Sequence, residues 1–543
     1  MIVGFMSSFQ EVFAQEVRIG RQVADLEFEK ALLSFSRADE LHFFCANAAT
    51  RNRFEQVFGD LIRAGGRRVR AFTFLDLPAC LQHYDYTAIH QADPVSYFTP
   101  LAHVRNALAP TVPLTAVTHT ISYREIISET FKKLLPGPMP FDALVATSRS
   151  AAEVVQRNLD FLSRGLARLF GENLAYSGRI ERIPLGVDTD RFQPRDRLAA
   201  RRRLGLPDRA FVILSLARFN YFLKMDLLPL LHFWRRSPVR KGALLILAGA
   251  EEIGYSAMLQ GQVRDLGLEA GVLVRPNPNE TVKADLLAAA DVFISPVDNV
   301  QETFGLTVIE AAASGLPALV SDFDGYKDLV DPGRTGYLLP TAWAPDHPVG
   351  ALLSATLLNN IGHLIQSQGT YVSLAELERR LAELRQHPEK RAEMGRQARQ
   401  AAIRRFDWRV VIGLYETLWG ELKASALAYQ GPPGPIRDPF AFTWSDIFGH
   451  YPSGPLPDDA LLTLTRAGRD YLADQARPAM YSDVAPLLAT DLLKELTASL
   501  AKGPRPLSDL RNLAPGLDRA LLDYHIVWLL KNYYLQFLDP ETA

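Results

Sequence analysis

Two glutamates, Glu302 and Glu310, bracket Thr303, Phe304, Gly305 and Leu306 in the run Ser295-Pro-Val-Asp-Asn-Val-Gln-Glu-Thr-Phe-Gly-Leu-Thr-Val-Ile-Glu. The apolar stretch before it predicts a strand over Asp291–Ile294. The pattern after it predicts a helix beginning near Phe304–Gly305. The first N–H groups of a helix have no internal partners, and the helix dipole favours an anion there. Gly305 lets a phosphate approach that backbone closely. Glu310 follows Glu302 by about two helical turns, near the same face. Carboxylates accept hydrogen bonds from hydroxyls while N–H groups hold phosphate, so the string suits a polyhydroxylated ligand that carries a phosphate. A bare Glu-x7-Glu pair is usually a capped helix with two solvated glutamates; the surrounding string is what favours a site.

A basic pair, Arg218 and Lys224, follows the apolar run Phe211–Leu216. Cations at a strand C-terminus, where α/β sheets bind ligands, can hold an anion, although an Arg and a Lys in a loop are usually two solvated surface cations. His119 in Val117-Thr-His-Thr follows another apolar run, where a lone histidine is commonly a structural hydrogen-bonder. Asp93 follows the predicted strand Thr87–His90 and could face a cleft or sit in an ordinary loop. No P-loop, His-Glu-x-x-His zinc motif or Gly-x-Ser-x-Gly elbow occurs. Asp188-Thr-Asp190 has the spacing of a sugar–metal pair, yet it lies in a Pro/Gly turn that predicts a structural role.

The elements that must position these residues alternate between strand and helix, the pattern of parallel α/β architecture. Strands are predicted at Ile2–Phe5, Leu41–Cys45, Val69–Phe72, Thr87–His90, Leu114–Val117 and Ala143–Ala146. A second set is predicted at Phe211–Leu216, Ala243–Ala248, Val272–Val274, Val292–Ile294, Pro317–Val320 and Gly336–Leu338. Helical patterns intervene, among them Thr99–Leu108, capped by Thr99, and Ser150–Phe170. Two doubly wound units are expected, over residues 1–180 and 181–405, each with a ligand site at its strand C-termini. A crossover helix over 406–428 follows. Gly431-Pro-Pro-Gly-Pro reads as a linker. Residues 432–543 read as a mainly helical or winged-helix-like module, with helical patterns at Pro457–Ala473, Ala485–Leu500, Ser508–Leu513 and Leu517–Phe537.

The Glu302–Pro317 string resembles the donor signature of retaining GT-B glycosyltransferases, specifically glycosyltransferase family 4, the glycosyl transferases group 1. Ile183-Pro-Leu-Gly-Val-Asp-Thr-Asp-Arg-Phe is similar to that family's inter-domain signature. The Arg218–Lys224 segment resembles its donor-phosphate loop, one residue longer than the commonest version. Asp324-Gly325-Tyr-Lys-Asp-Leu-Val and Arg404-Arg-Phe-Asp-Trp408 resemble its later turns. The likeness runs from about residue 114 to about 425.

The resemblance implies a GT-B fold of two Rossmann-like domains facing across a cleft. It implies metal-independent transfer of a hexose-type sugar, with retention, from a nucleotide-diphosphate sugar, UDP- or GDP-linked, and no cofactor. It gives Glu302 the sugar hydroxyls, Glu310 the ribose, and Arg218, Lys224 and the N–H groups of Thr303–Leu306 the diphosphate. His119 would orient the sugar, and Pro276 and Asn277 would border the nucleoside. Gly20 and Arg21, with Asp93, are the acceptor-side candidates, although the family's usual Gly-Gly after the first strand is replaced by the long stretch Ser7–Ile19. A GT-B epimerase or phosphorylase, or a non-catalytic sugar-nucleotide-binding scaffold, remains an alternative.

Composition sets outer bounds. The 543 residues carry a net charge of −2, with 48% hydrophobic and 22% charged residues, ordinary for a globular chain and adverse to broad disorder. The last segment, from residue 431, holds ten Lys or Arg against fourteen Asp or Glu, which argues against nucleic acid as a partner. Cys45 and Cys80 are too few for a disulfide framework and predict reduced core thiols in a cytoplasmic protein. No apolar run approaches the roughly 20 residues of a membrane span. Peripheral membrane contact stays open, and a homodimer through the C-terminal module is an expectation. The acceptor is left open among glycans, lipids, small metabolites and proteins.

Overall fold

The computed structural model describes the chain except residues 7–19, 94, 96, 345–347, 353–355, 357–358, 439, 442, 455, 476–477, 479 and 539–543. It divides into two units, Met1–Asp438 and Pro439–Ala543. The first holds two parallel sheets.

The first sheet comprises β1 (Ile2–Met6), β2 (Glu40–Cys45), β3 (Arg68–Thr73), β4 (Ala88–Gln91), β5 (Leu114–Val117), β6 (Ala143–Ala146) and β7 (Arg179–Arg182). Their order is β3-β2-β1-β4-β5-β6-β7. The second comprises β8 (Phe211–Leu216), β9 (Ala243–Gly249), β10 (Val272–Pro276), β11 (Val292–Ser295), β12 (Ala318–Ser321) and β13 (Gly336–Leu339), in the order β10-β9-β8-β11-β12-β13. Every residue of β8 and β9 is buried, as helices on both faces of a parallel sheet require. In each sheet the order reverses beside the first strand, between β1 and β4 and between β8 and β11. The crevice at such a reversal is where α/β sheets bind ligands.

Two chain crossings join the domains, and they lie side by side. Val187 N–H donates to Phe406 C=O (2.7 Å), and Trp408 N–H returns to Val187 C=O (3.3 Å). Asp188 accepts from the N–H groups of Asp190 (3.0 Å) and Arg191 (2.9 Å), and the Thr189 hydroxyl donates to Asp407. The Asp188-Thr-Asp190 run therefore builds the hinge. After the crossing, helix Trp408–Ala428 buries Tyr415, Trp419 and Leu422 in the core of the first domain with Phe5 and Phe28. Beyond it the Pro-rich segment runs along the first domain, where Asn106 Nδ2 donates to Pro435 C=O (3.0 Å). Cys45 and Cys80 are buried free thiols, and no described helix is long and apolar enough to cross a membrane.

Some predicted boundaries move. The helix expected at Thr99–Leu108 starts at Phe98 with Tyr97 as its cap residue. The helix after Glu302 starts at Leu306. The second unit is helical but organised on a small antiparallel sheet, with Leu461–Leu464 between Arg505–Pro506 and Leu535–Phe537. The helical patterns read at Pro457–Ala473 and Leu517–Phe537 are therefore each part strand, leaving helices Arg466–Leu472 and Arg519–Lys531.

Candidate functional site

The second sheet's reversal point collects most of the predicted residues. Arg218 follows β8 and Glu302 lies in the loop after β11, so neighbouring strands deliver them to one crevice. Lys224 Nζ donates to Glu302 Oε2, and the Tyr326 hydroxyl lies 3.4 Å from the same oxygen. Tyr326 is fixed in turn by Ser295 Oγ at 2.8 Å. Lys283, on helix Glu280–Ala289, donates to Glu310 Oε1 at 2.7 Å. Each glutamate of the pair therefore has its own lysine. Arg218 is anchored by Glu252 at 2.8 and 3.1 Å, and Asn220 Nδ2 reaches the same carboxylate at 2.7 Å. The side-chain oxygen of Asn220 accepts from the N–H groups of Phe222 and Leu223, both at 3.0 Å, which shapes the loop between the two cations.

Gly305 sits at φ 114°, a region that favours glycine, and caps the helix Leu306–Ala313. A Cβ there would lie 2.3 Å from Tyr326 Cε1, so the ring leaves room only for a hydrogen. Gly325 is similarly forced, since a Cβ would stand 2.2 Å from the Thr303 carbonyl oxygen. The loop carrying Glu302 and the turn carrying Asp324 are thus pressed together.

The two domains meet across this loop. Ser148 Oγ, at the start of helix Arg149–Phe170, donates to Thr303 C=O (2.9 Å). Thr303 Oγ1 donates to His119 C=O (3.0 Å), and Gln301 Nε2 reaches Thr120 Oγ1 (3.3 Å). Helix Asn360–Gln368, from the insertion after β13, also reaches the first domain: Tyr123 Oη donates to Asn360 Oδ1 (2.7 Å), and His363 Nε2 contacts Ser122 C=O (3.2 Å).

Burial shapes the electrostatics. Asp324 is pushed up to about 8 by burial and then by the charge of Glu302, and among the described residues its Oδ1 has no hydrogen-bond partner. Asp298, three residues after β11, is pushed up to about 8 by burial, with Asp226 adding to the rise. Burial and the same Glu302 raise the Tyr326 hydroxyl well above the ordinary tyrosine range. Burial thus favours the neutral forms of Asp324, Asp298 and Tyr326.

The predicted residues do not all converge. Lys224 and Glu302 pair in the second domain's crevice, and Thr303 beside them meets His119 of the first domain; Gly305 and Leu306 start the following helix, Arg218 turns to Glu252, and Phe304 is buried in the second domain's core against Phe406. Glu310 lies further along the helix with Lys283. Pro276 and Asn277 are exposed at the end of β10; Asn277, at φ 51°, accepts from Glu251 N–H (2.8 Å), and among the described residues no hydrogen bond ties it to either glutamate. Asp93 accepts from Val95 N–H (2.7 Å) and acts electrostatically on the buried Lys133. Gly20 and Arg21 open helix Gly20–Phe35, and their side chains lie outside the described residues. Sequence reasoning passed over Asp25, Glu252 and Tyr326. Tyr326 directly follows Gly325 and could have been found from that turn. Asp25 has no such local signal.

Residues 196–360 match the family model described as Glycosyl transferases group 1. D-inositol 3-phosphate glycosyltransferase 2 of Catenulispora acidiphila is 32% identical over 236 residues, 42% of this chain and 53% of that protein. D-inositol 3-phosphate glycosyltransferase of Nocardia farcinica is 31% identical over 255 residues, 45% and 54% of the two chains. The chain thus spans about half the length of these curated relatives. Among solved structures, a glycosyltransferase from Rickettsia africae aligns with a TM-score of 0.51 at 12% identity, covering 78% of this chain and 98% of that one. HepE of Anabaena in complex with UDP aligns at 0.50 and 17% identity, covering 77% and 99%. The fold is GT-B. The segment that matches the family model contains Arg218, Lys224, Glu302 and Glu310.

Proposed function

We propose that this protein is a glycosyltransferase that moves a hexose-type sugar from a nucleotide-diphosphate sugar to an acceptor, with retention at the anomeric carbon and without a metal ion. The observation that carries this reading is the crevice between β8 and β11. There Lys224 holds the Glu302 carboxylate, Arg218 follows the adjoining strand β8, and the Gly305-capped helix starts four residues after Glu302, all within the segment matching the glycosyltransferase model.

In this reading the diphosphate takes Lys224 from Glu302 and lies against Arg218 and the N–H groups at the start of helix Leu306–Ala313. Glu302, released from the lysine, accepts hydrogen bonds from the sugar hydroxyls, and Glu310 receives the ribose. As the bond from the anomeric carbon to the phosphate oxygen breaks, the fixed cations stabilise the negative charge on the leaving group. The acceptor hydroxyl attacks the same face, and its proton passes to the departing phosphate oxygen. His119 orients the sugar from the first domain, and the contacts of Thr303 with His119 and Ser148 hold the domains together around it.

A panel of UDP-, GDP- and ADP-sugars, read by thermal shift and by nucleotide release with and without EDTA, tests the reading. UDP leads because the HepE complex contains it. D-inositol 3-phosphate enters the acceptor panel because the curated relatives carry its name. Stabilisation by one nucleotide series and EDTA-insensitive release are expected. Binding of none of the panel removes the proposal.

A further inference from the structure

On the first domain's side of the cleft, a small cavity is lined by Asp25, His90, His119, Phe28, Trp408 and Tyr415 among others. It lies at the reversal point of the first sheet: Asp25 is on helix Gly20–Phe35, after β1, His90 is on β4, and His119 follows β5. Asp25 Oδ1 stands 3.2 Å from His119 Nε2, and the side chains are 2% and 7% exposed. The approach is within ion-pair distance, and among the described residues Nε2 makes no hydrogen bond.

The groups facing His119 are Asp25 from the first helix, His90 from β4, and Tyr415 with Trp408 from the closing helix. His90 is fully buried, its Nδ1 lies 2.8 Å from Thr115 Oγ1, and burial pushes it down to about 3, so it stays neutral. Burial also raises the Tyr415 hydroxyl far above neutrality. Asp25 is therefore the acidic side chain in this set that faces the His119 ring. At its other end, His119 is held by Thr303, whose hydroxyl donates to the His119 carbonyl from the second domain. The residue is clamped by its backbone from one domain and by its ring from the other.

We infer that Asp25 is a positioning residue for His119. Its carboxylate keeps a proton on Nε2 and fixes the ring, which leaves Nδ1 to meet a sugar hydroxyl. The kinetic part of this inference rests on the glycosyltransferase reading; the structural part does not.

The test uses the full chain with 15N-labelled histidine. His119 ring signals are identified by their loss in His119→Gln. Near neutral pH, His119 is expected to show a protonated Nε2. Asp25→Ala moves that signal toward the tautomer-averaged position, and Asp25→Glu restores it. An identical ring spectrum in Asp25→Ala overturns the inference, whatever the activity.

With UDP-glucose, or whichever sugar nucleotide the wild type turns over, Asp25→Ala lowers kcat for nucleotide release about ten- to a hundredfold. The donor KM stays within about threefold. In the His119→Gln background the same substitution costs nothing further; an equal further loss in the double variant overturns the inference. If the wild type turns over no sugar nucleotide, the glycosyltransferase reading falls while the ring spectrum still decides on Asp25. Should Asp25→Ala fail to fold, Asp25→Asn carries both measurements.

Discussion

Lys224 and Lys283 hold one glutamate each, and Arg218 is tied to Glu252, so the positive charge of the second domain's crevice is stored in ion pairs. In the proposed reading a diphosphate competes for Lys224 with Glu302, so removing either partner is expected to change both binding and turnover. Glu302→Gln is expected to lower nucleotide release by about 10²–10³-fold, the usual effect of losing one preorganised group at a transition state. Lys224→Met should raise the donor KM as well as lower kcat. Full turnover by Glu302→Gln would detach this glutamate from the chemistry.

Asp298 gives a pH-dependent prediction. Its carboxyl is raised to about 8 in the fold, so between the unfolded value near 4 and pH 8 the folded chain binds the extra proton. This contribution to stability is present at low pH and is lost as pH rises, at roughly 1 kcal/mol per pH unit for a single group. Asp298→Asn should therefore flatten the decline in Tm between pH 5 and 8, and parallel curves for the two proteins would refute it. The Glu302–Glu310 string was legible because its members are contiguous in the chain and share one strand–loop–helix unit. The Asp25–His119 contact was not, because the two residues come from different βα units and only the folded sheet brings them together. Lys224 was half legible: its type and position marked a site, but not which carboxylate it would hold.

At the scale of elements, the start of helix Leu306–Ala313 depends on a backbone that side chains resist. Gly305→Ala would place a methyl group against the Tyr326 ring at φ 114°, and Tyr326 is itself wedged by Ser295 and Glu302. The substitution should cost about 1–3 kcal/mol from the backbone conformation alone. It should weaken nucleotide protection in a thermal-shift assay more than it lowers the Tm of the protein without nucleotide. Equal losses in the two measurements would make Gly305 a folding residue only. The β8–β13 strands were readable because strands covered on both faces are near-continuous apolar runs. The second unit was harder. Arg505–Pro506 is two residues long, and Leu461–Leu464 merges into the helix Arg466–Leu472 with no turn signal stronger than Thr465. A strand that short takes its identity from its partners, which local pattern does not reveal.

For the whole molecule, the GT-B unit and the terminal unit have separate cores. Leu462, Leu493, Leu507, Ile526 and Leu529 form one cluster, while the two sheets and the closing helix bury their own. Every residue assigned here to sugar-nucleotide chemistry belongs to Met1–Asp438. A chain ending at Asp438 keeps the Trp408–Ala428 helix on the first domain and the contacts of Asn106 and His103 with Pro435. It is therefore expected to fold and to release nucleotide from its donor within about threefold of the full-length rate. Transfer to the acceptor, or the oligomeric state, should fall by at least tenfold if the terminal unit recognises the acceptor or a second copy. Light scattering and a transfer assay on the truncated and full chains separate these roles. Transfer and assembly both unchanged would leave the terminal unit with neither, and loss of donor release would place part of the donor chemistry beyond Asp438.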